Sequence, residues 1–215
     1  MSSRARQQKE SVRNFVLPAK IQLSDLTIVP FNPQAHNAAA FDCGDSDLND
    51  FLQNDAHRYQ QAHVSFTRVV FYQREFVGYI TLLTDSIVLK SGEKRKIVDF
   101  HQHVMQWPAL KIGRLAVCQE RQKKYGIGRY LLQYSIALAL RTGLEHSIGC
   151  RFITVDAYPT SVSFYEHYSF IRNKHYTTKP DTSWRSSRWC PAFLRKTDPS
   201  AHPSMRYDIL KSPPI

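Results

Sequence analysis

The chain has 215 residues, 42% of them hydrophobic and 12% aromatic, and a formal charge of +11 at neutral pH. That length builds one ample core rather than two comfortable enzyme domains, and no apolar run reaches the roughly 18–20 residues of a membrane span. Four scattered cysteines (Cys43, Cys118, Cys150 and Cys190) lack C-x-x-C spacing, which argues against zinc or a disulfide frame and for free thiols in a reducing cytosol.

Residues 1–20 carry Arg4, Arg6, Lys9, Arg13 and Lys20 against Glu10 alone. They read as a mobile basic arm, without the apolar stretch of a secretory signal, ahead of a single domain over 21–215. "LTIVPF" (26–31) is a first strand. In "CGDSDLNDFLQNDAHRYQQ", Asp45 or Ser46 can cap a helix whose Leu48, Phe51, Leu52, Ala56 and Tyr59 share one face. "SFTRVVFYQREFVGYITLLT" reads as an antiparallel hairpin, because two β-branched and aromatic runs flank a polar turn. A polar, basic stretch (90–108) leads to the strand "ALKIGRLAV". "RYLLQYSIALALRTG" is a helix with Leu132, Ile136, Ala139 and Leu140 on one face, and Gly143 is placed to end it in the left-handed conformation. "RFITVDA" is a strand, "SVSFYEHYSF" a short helix and turn, and "SMRYDIL" a last strand. The order β-α-β-β-β-α-β-α-β predicts a mixed α/β domain with an antiparallel start.

The stretch "QKKYGIGRYLL" (122–132) places G-x-G and two lysines between a strand and an amphipathic helix. The first amides of a helix lack partners and carry the positive end of its dipole, so such a turn suits an anion. Taken alone, a structural turn explains it equally well. The Rossmann and P-loop patterns are absent, since Leu131 stands at the third Rossmann glycine and no G-K-[ST] follows.

Together, "KIGRLAVCQERQKKYGIGRYLLQYSIALAL" resembles the acetyl-CoA segment of GNAT N-acetyltransferases, with Lys123 at the family's Gln/Arg position. "FYEHYSF" is similar to their F-Y-E-x-x-G-F motif, with Ser169 replacing the glycine. Adding "FDCGDSDLNDFL", "VGYITLL" and "IGRLAV" narrows the resemblance to tRNA-acetylating toxins of type II toxin–antitoxin systems. It covers roughly residues 26–171 and the final strand.

The resemblance implies a GNAT fold: a central, twisted mixed sheet flanked by helices, with two splayed parallel strands, Leu115–Cys118 and Ile153–Ala157, holding acyl-CoA. The expected cofactor residues are Leu115, Ala116, Val117, Lys123, Lys124, Tyr125, Gly126, Ile127, Gly128 and Arg129, and the expected catalytic acid is Tyr165. A phenol with a pKa near 10 is protonated at neutral pH and can supply a thiolate with a proton. No general base stands out. That agrees with an α-amine acceptor such as aminoacyl-tRNA, whose reference pKa of about 7.7–8.0 leaves it partly neutral. The resemblance also implies a cytoplasmic homodimer and an antitoxin partner of the ribbon-helix-helix type.

Between residues 172 and 196 seven basic residues face one acid, Asp181, with Tyr176, Trp184 and Trp189 interleaved. Within this basic–aromatic insertion (172–203), Arg172, Lys174, Arg185 and Arg188 are the expected contacts to the single-stranded end of a tRNA, cations for phosphates and rings for bases. A loop covering apolar surface is the plainer alternative. His101 and His103 lack a third ligand nearby, so no metal is expected. Asp42, Asp45, Asp47 and Asp50 could attract a cationic substrate, but helix capping and a solvated face explain them more cheaply. Two other functions stay open: a GNAT enzyme acting on a small amine, polyamine or protein N-terminus, and a non-catalytic RNA- or protein-binding module.

Overall fold

The computed structural model describes residues 23–94, 104, 106–173, 203–210 and 215. The basic arm, His101 and His103, and Lys174, Arg185 and Arg188 lie outside the described residues.

Strand β1 (Leu26–Pro30) precedes helix α1 (Ser46–Asp50), which passes through a π-helical turn (Phe51–Asp55) into α2 (Ala56–Gln61). Asp45 starts α1, its Oδ1 accepting from the amides of Asp47 (3.0 Å) and Leu48 (3.1 Å), two donors that a helix start leaves orphaned. Leu48, Phe51, Leu52 and Ala56 are buried, as their spacing predicts. The hairpin consists of β2 (Phe66–Tyr72) and β3 (Glu75–Ile87), joined at Gln73, which takes a left-handed φ of 57°. After a helical turn, α3 (Ser91–Lys94), come β4 (Trp107–Val117), the long helix α4 (Ile127–His146) and β5 (Phe152–Asp156). Short α5 (Val162–His167), β6 (Ile171–Arg172) and β7 (Ser204–Asp208) complete the fold.

The seven strands form one sheet in the order β1-β2-β3-β4-β5-β7-β6. Among the described residues only β4 and β5 pair in parallel. Alternation along the strands sets two main cores on opposite faces, and a third, smaller cluster gathers Ile87, Leu89, Trp107, Ala109 and Phe152. Val77, Ile80, Ile112, Ile153 and Val155 pack with Leu131 and Leu132 of α4 and Tyr165 of α5. Val69, Tyr79 and Ala116 pack with Phe51, Leu52 and Ala56 on the other side.

Two details of α4 correct the sequence reading. Its buried face is Leu131, Leu132, Ser135 and Ala139, whereas Leu140 is 38% exposed. The helix also continues through Gly143 to His146, and Ser147 (φ 56°) ends it, with its amide and that of Ile148 both reaching the Thr142 carbonyl. Glycine inside a helix costs about 1 kcal/mol relative to alanine. The added turn offsets this with further backbone bonds and the Arg141–Glu145 pair at 2.9 Å.

At the sheet's far edge Arg172 pairs with Met205, and the Asn173 amide donates to the Ser204 carbonyl at 2.9 Å. Buried Arg206 donates from one guanidinium nitrogen to Asn173 Oδ1 (2.6 Å) and from the other to Glu93 Oε1 (2.7 Å). The chain therefore leaves and re-enters the described fold at one fastened point.

Candidate active site

The site begins as a fork in the sheet. β4 pairs with β5 from Ala109–Phe152 to Ile112–Val155, and no further. The next residue, Gly113, is an extra residue in the ladder with β3, where Leu82 pairs with Ile112 and Thr81 with Arg114. Such a bulge bends its strand. A Cβ here would lie 2.9 Å from Leu83 Cδ2, so a larger residue would require that side chain to shift. Beyond it, Arg114–Val117 pair with β3 alone while β5 runs on to Asp156. The parted strands enclose a cleft of about 450 Å³ that reaches both faces of the sheet.

On the first face the cleft meets the start of α4. Gly126 adopts φ 71°, a left-handed conformation that favours glycine, and an added Cβ there would meet only open space. The requirement is thus conformational. The first helical bond runs from the Tyr130 amide to the Gly126 carbonyl, so helix geometry leaves the amides of Ile127, Gly128 and Arg129 without a partner inside the helix. Lys123, itself at φ 61°, and Arg129 also line the cleft. These amides, the dipole of a 20-residue helix and two cations form a cradle for a polyanion such as a pyrophosphate.

Tyr165 stands on the same wall. Helix α5 ends in a Schellman motif, with the Phe170 amide bonded to the Tyr165 carbonyl and the Ser169 amide to the Glu166 carbonyl, both at 3.0 Å. The rings of Phe170 and Tyr165 make the accompanying apolar contact, 5.3 Å between centroids. Ser169, where the resemblance has glycine, takes φ 64° as that turn demands. Burial raises the Tyr165 phenol well above its ordinary pKa, so it holds its proton at neutral pH.

On the second face the wall contains Asp45, Arg114, Asp156 and Tyr158. The Arg114 guanidinium lies 3.6 Å from the centre of the Phe51 ring, and burial lowers its pKa. Tyr158 donates to Asp47 Oδ2 at 3.0 Å, and burial, then the Asp47 charge, raises its pKa. Asp156 Oδ2 accepts from Lys111 Nζ at 2.7 Å.

Of the residues expected at the cofactor, Leu115, Ala116, Val117, Lys123, Gly126, Ile127, Gly128 and Arg129 line one cleft with Tyr165. Lys124 is exposed away from the lining, and Tyr125 instead packs on the first core. Arg172 lies outside the cleft, paired with Glu166 at 3.1 Å. Sequence reasoning missed Arg114, Tyr158 and Arg121. Arg114 carried a signal, a charged residue at an inward strand position in the quoted "IGRLAV". Arg121 carried none, since its partner Glu75 is 46 residues away.

No family model and no curated protein matches the sequence. The sheet order and the fork match the GNAT fold. Solved structures of toxins share it. One is a tyrosine-to-phenylalanine mutant of KacT, with a TM-score of 0.63 and 18% identity, covering 86% of this chain and 96% of that one. A second is a mutant of the toxin AtaT with acetyl-CoA and the C-terminus of the antitoxin AtaR (TM-score 0.60, 19% identity, 86% and 94% covered). A third is AtaT complexed with acetyl-methionyl-tRNAfMet (TM-score 0.59, 25% identity, 69% and 88% covered).

Proposed function

We propose that this protein is an acetyl-CoA-dependent N-acetyltransferase whose acceptor is the α-amine of an aminoacyl-tRNA, and that it acts as a translation-blocking toxin. The observation that carries the reading is the fork itself, a strand edge, an anion cradle and a protonated phenol assembled around one cleft. The likeness to toxins solved with acetyl-CoA and with acetyl-methionyl-tRNA supports the cofactor and the acceptor class.

The residues present fit acetyl-CoA. The free amides of Ile127, Gly128 and Arg129, with Lys123 and Arg129, would hold its pyrophosphate, and the open edge of Leu115–Val117 would pair with its amide-bearing arm. When bound, acetyl-CoA supplies an acetyl group activated as a thioester. Tyr165 keeps a proton at its phenol oxygen, which is what a departing thiolate requires. The overall balance moves one proton from the acceptor nitrogen to sulfur, so no net proton is taken up.

Arg172 and the basic insertion that follows it are assigned to the RNA end of the substrate. The reading extends to an antitoxin partner, which the likeness to AtaT bound to AtaR supports, and to action in the cytoplasm as a homodimer. The test is incubation with labelled acetyl-CoA and tRNA charged with single amino acids, with spermidine as control. Acetylation of charged tRNA and not of spermidine is expected. Transfer to spermidine alone would replace this acceptor with a small amine.

A further inference from the structure

Asp156 is the first residue of β5 past its last partner on β4, since the parallel ladder stops at Ile112–Val155. It therefore stands at the vertex of the fork, and it lines the cleft. The cradle belongs to the other end of the open edge, where the chain leaves β4 at Val117 and enters α4 at Ile127. An arm running from the cradle past Val117 and Leu115 leads to that vertex. Only one oxygen of the Asp156 carboxylate is engaged. Oδ2 accepts from Lys111 Nζ at 2.7 Å, and Lys111 lies before the vertex, outside the cleft lining. Among the described residues Oδ1 has no donor, and the side chain is 35% exposed. Asp45, the other carboxylate in the lining, is tied to the start of α1 through the amides of Asp47 and Leu48. On its far side β5 pairs with β7, Asp156 opposite Ser204, and the Ala157 amide donates to the Pro203 carbonyl at 3.2 Å. The basic–aromatic insertion thus rejoins the sheet beside this carboxylate.

A neutral amine attacking a thioester gains positive charge on nitrogen as the N–C bond forms and the C–S bond breaks. We propose that Asp156 Oδ1 accepts a hydrogen bond from the acceptor amine, holds it at the vertex and stabilises that charge. This rests on the acetyltransferase reading above and makes Asp156 a further catalytic residue. A hydrogen bond to a charged group is among the strong ones. Lys111 offsets the negative charge, which lessens both the repulsion of RNA phosphates and the pull that would keep the amine protonated. The pair thus suits an amine carried at the end of a polyanion. Asp156 keeps no proton: the one released by nitrogen passes to solvent, and Tyr165, having protonated the departing sulfur, regains one from solvent.

The experiment compares wild type, Asp156→Asn and Asp156→Ala, using acetyl-CoA with methionyl-tRNA or spermidine. Calorimetry measures the affinities for acetyl-CoA and for deacylated tRNA, and a thermal melt checks folding. In Asp156→Asn the amide oxygen stays with Lys111 and an N–H donor takes the place of Oδ1, so the near-isosteric change removes the acceptor. Each variant should lose roughly ten- to hundredfold in kcat/KM for the amine the wild type accepts. Affinities for acetyl-CoA and deacylated tRNA should be unchanged, because neither carries the amine. Wild-type kcat/KM in both variants, or an equal loss of affinity for acetyl-CoA or deacylated tRNA, would overturn the role of Asp156. If wild type binds acetyl-CoA but acetylates neither amine, the acceptor reading falls and the role of Asp156 falls with it. If wild type transfers and the variants match it, only the role of Asp156 falls.

Discussion

Gly128 in the first turn of α4 faces the ring of Phe164 on α5, so closely that an added Cβ would lie 3.1 Å from Phe164 Cζ and 3.2 Å from Cε2. Phe164 in turn meets the Tyr165 ring edge-on, 5.1 Å between centroids. The anion cradle and the buried phenol are therefore neighbours through one ring. Gly128→Ala should raise helix propensity by about 1 kcal/mol while displacing Phe164 by a few tenths of an ångström. The expected outcome is an unchanged or higher melting temperature together with a kcat lower by about tenfold. Steady-state kinetics beside a thermal melt reads both; a variant with full activity would show that the ring contact transmits nothing.

Tyr165→Phe removes one oxygen and keeps the ring that packs on Phe170. Loss of roughly a hundredfold or more in kcat is expected, with acetyl-CoA affinity retained in calorimetry. Full turnover in this variant would take the proton-donor role away from Tyr165.

Ser169 occupies a left-handed conformation that a side chain disfavours by roughly 1–2 kcal/mol, whereas glycine adds roughly 0.5–1 kcal/mol of unfolded-chain entropy. The first effect is larger. Ser169→Gly should therefore stabilise the protein, by about 0.5–1 kcal/mol from these figures, as a higher denaturant midpoint at constant slope.

The Arg206 side chain is 5% exposed and its partner Glu93 12%. Arg206→Ala would remove the charged partner of that carboxylate, which would keep its bond from the Lys90 amide, and the buried donor to the Asn173 amide oxygen. A loss of about 3–5 kcal/mol is expected in urea unfolding. A change below about 1 kcal/mol, the range of exposed pairs, would mean that the interaction is solvated.

Asp42 Oδ1 accepts from the Gly44 amide (2.8 Å) and from Asn49 Nδ2 (2.7 Å), which holds its carboxyl below the ordinary range. Its pKa is thus lower in the folded than in the unfolded chain. The stabilisation is complete above the ordinary value of about 3.9 and is lost as pH falls through the depressed one. Unfolding midpoints between pH 5 and pH 2.5 should fall less steeply for Asp42→Asn than for wild type. Parallel curves would remove Asp42 from the acid response.

Most elements were legible because each rests on a local pattern: the hairpin's two β-branched runs, the Asp45 cap, the G-x-G turn before α4. The fork was legible only through resemblance, since its cause is a single extra residue, Gly113, whose bulge depends on the register of β3. Leu140 and Gly143 were misread for a related reason. A helix's periodicity names a face, but the sheet chooses which part of that face it covers and where the helix stops. Asp47 was legible only as one of an acidic cluster at a helix start, and Tyr158 drew no reading. Their hydrogen bond arises because the fold sets a tyrosine beyond a strand 3.0 Å from an aspartate in the first turn of a helix.

The fastening at Asn173 and Ser204 bears on how such a protein changes over time. Residues 174–203 begin and end at the same spot on the sheet edge, secured by the backbone bond and by Asn173 Nδ2 to Ser204 Oγ, both at 2.9 Å. Closing a longer excursion from a fixed base is inexpensive, about 0.6 kcal/mol for each doubling of length. Chain entropy therefore sets little limit on the length that the sheet edge tolerates between Asn173 and Ser204.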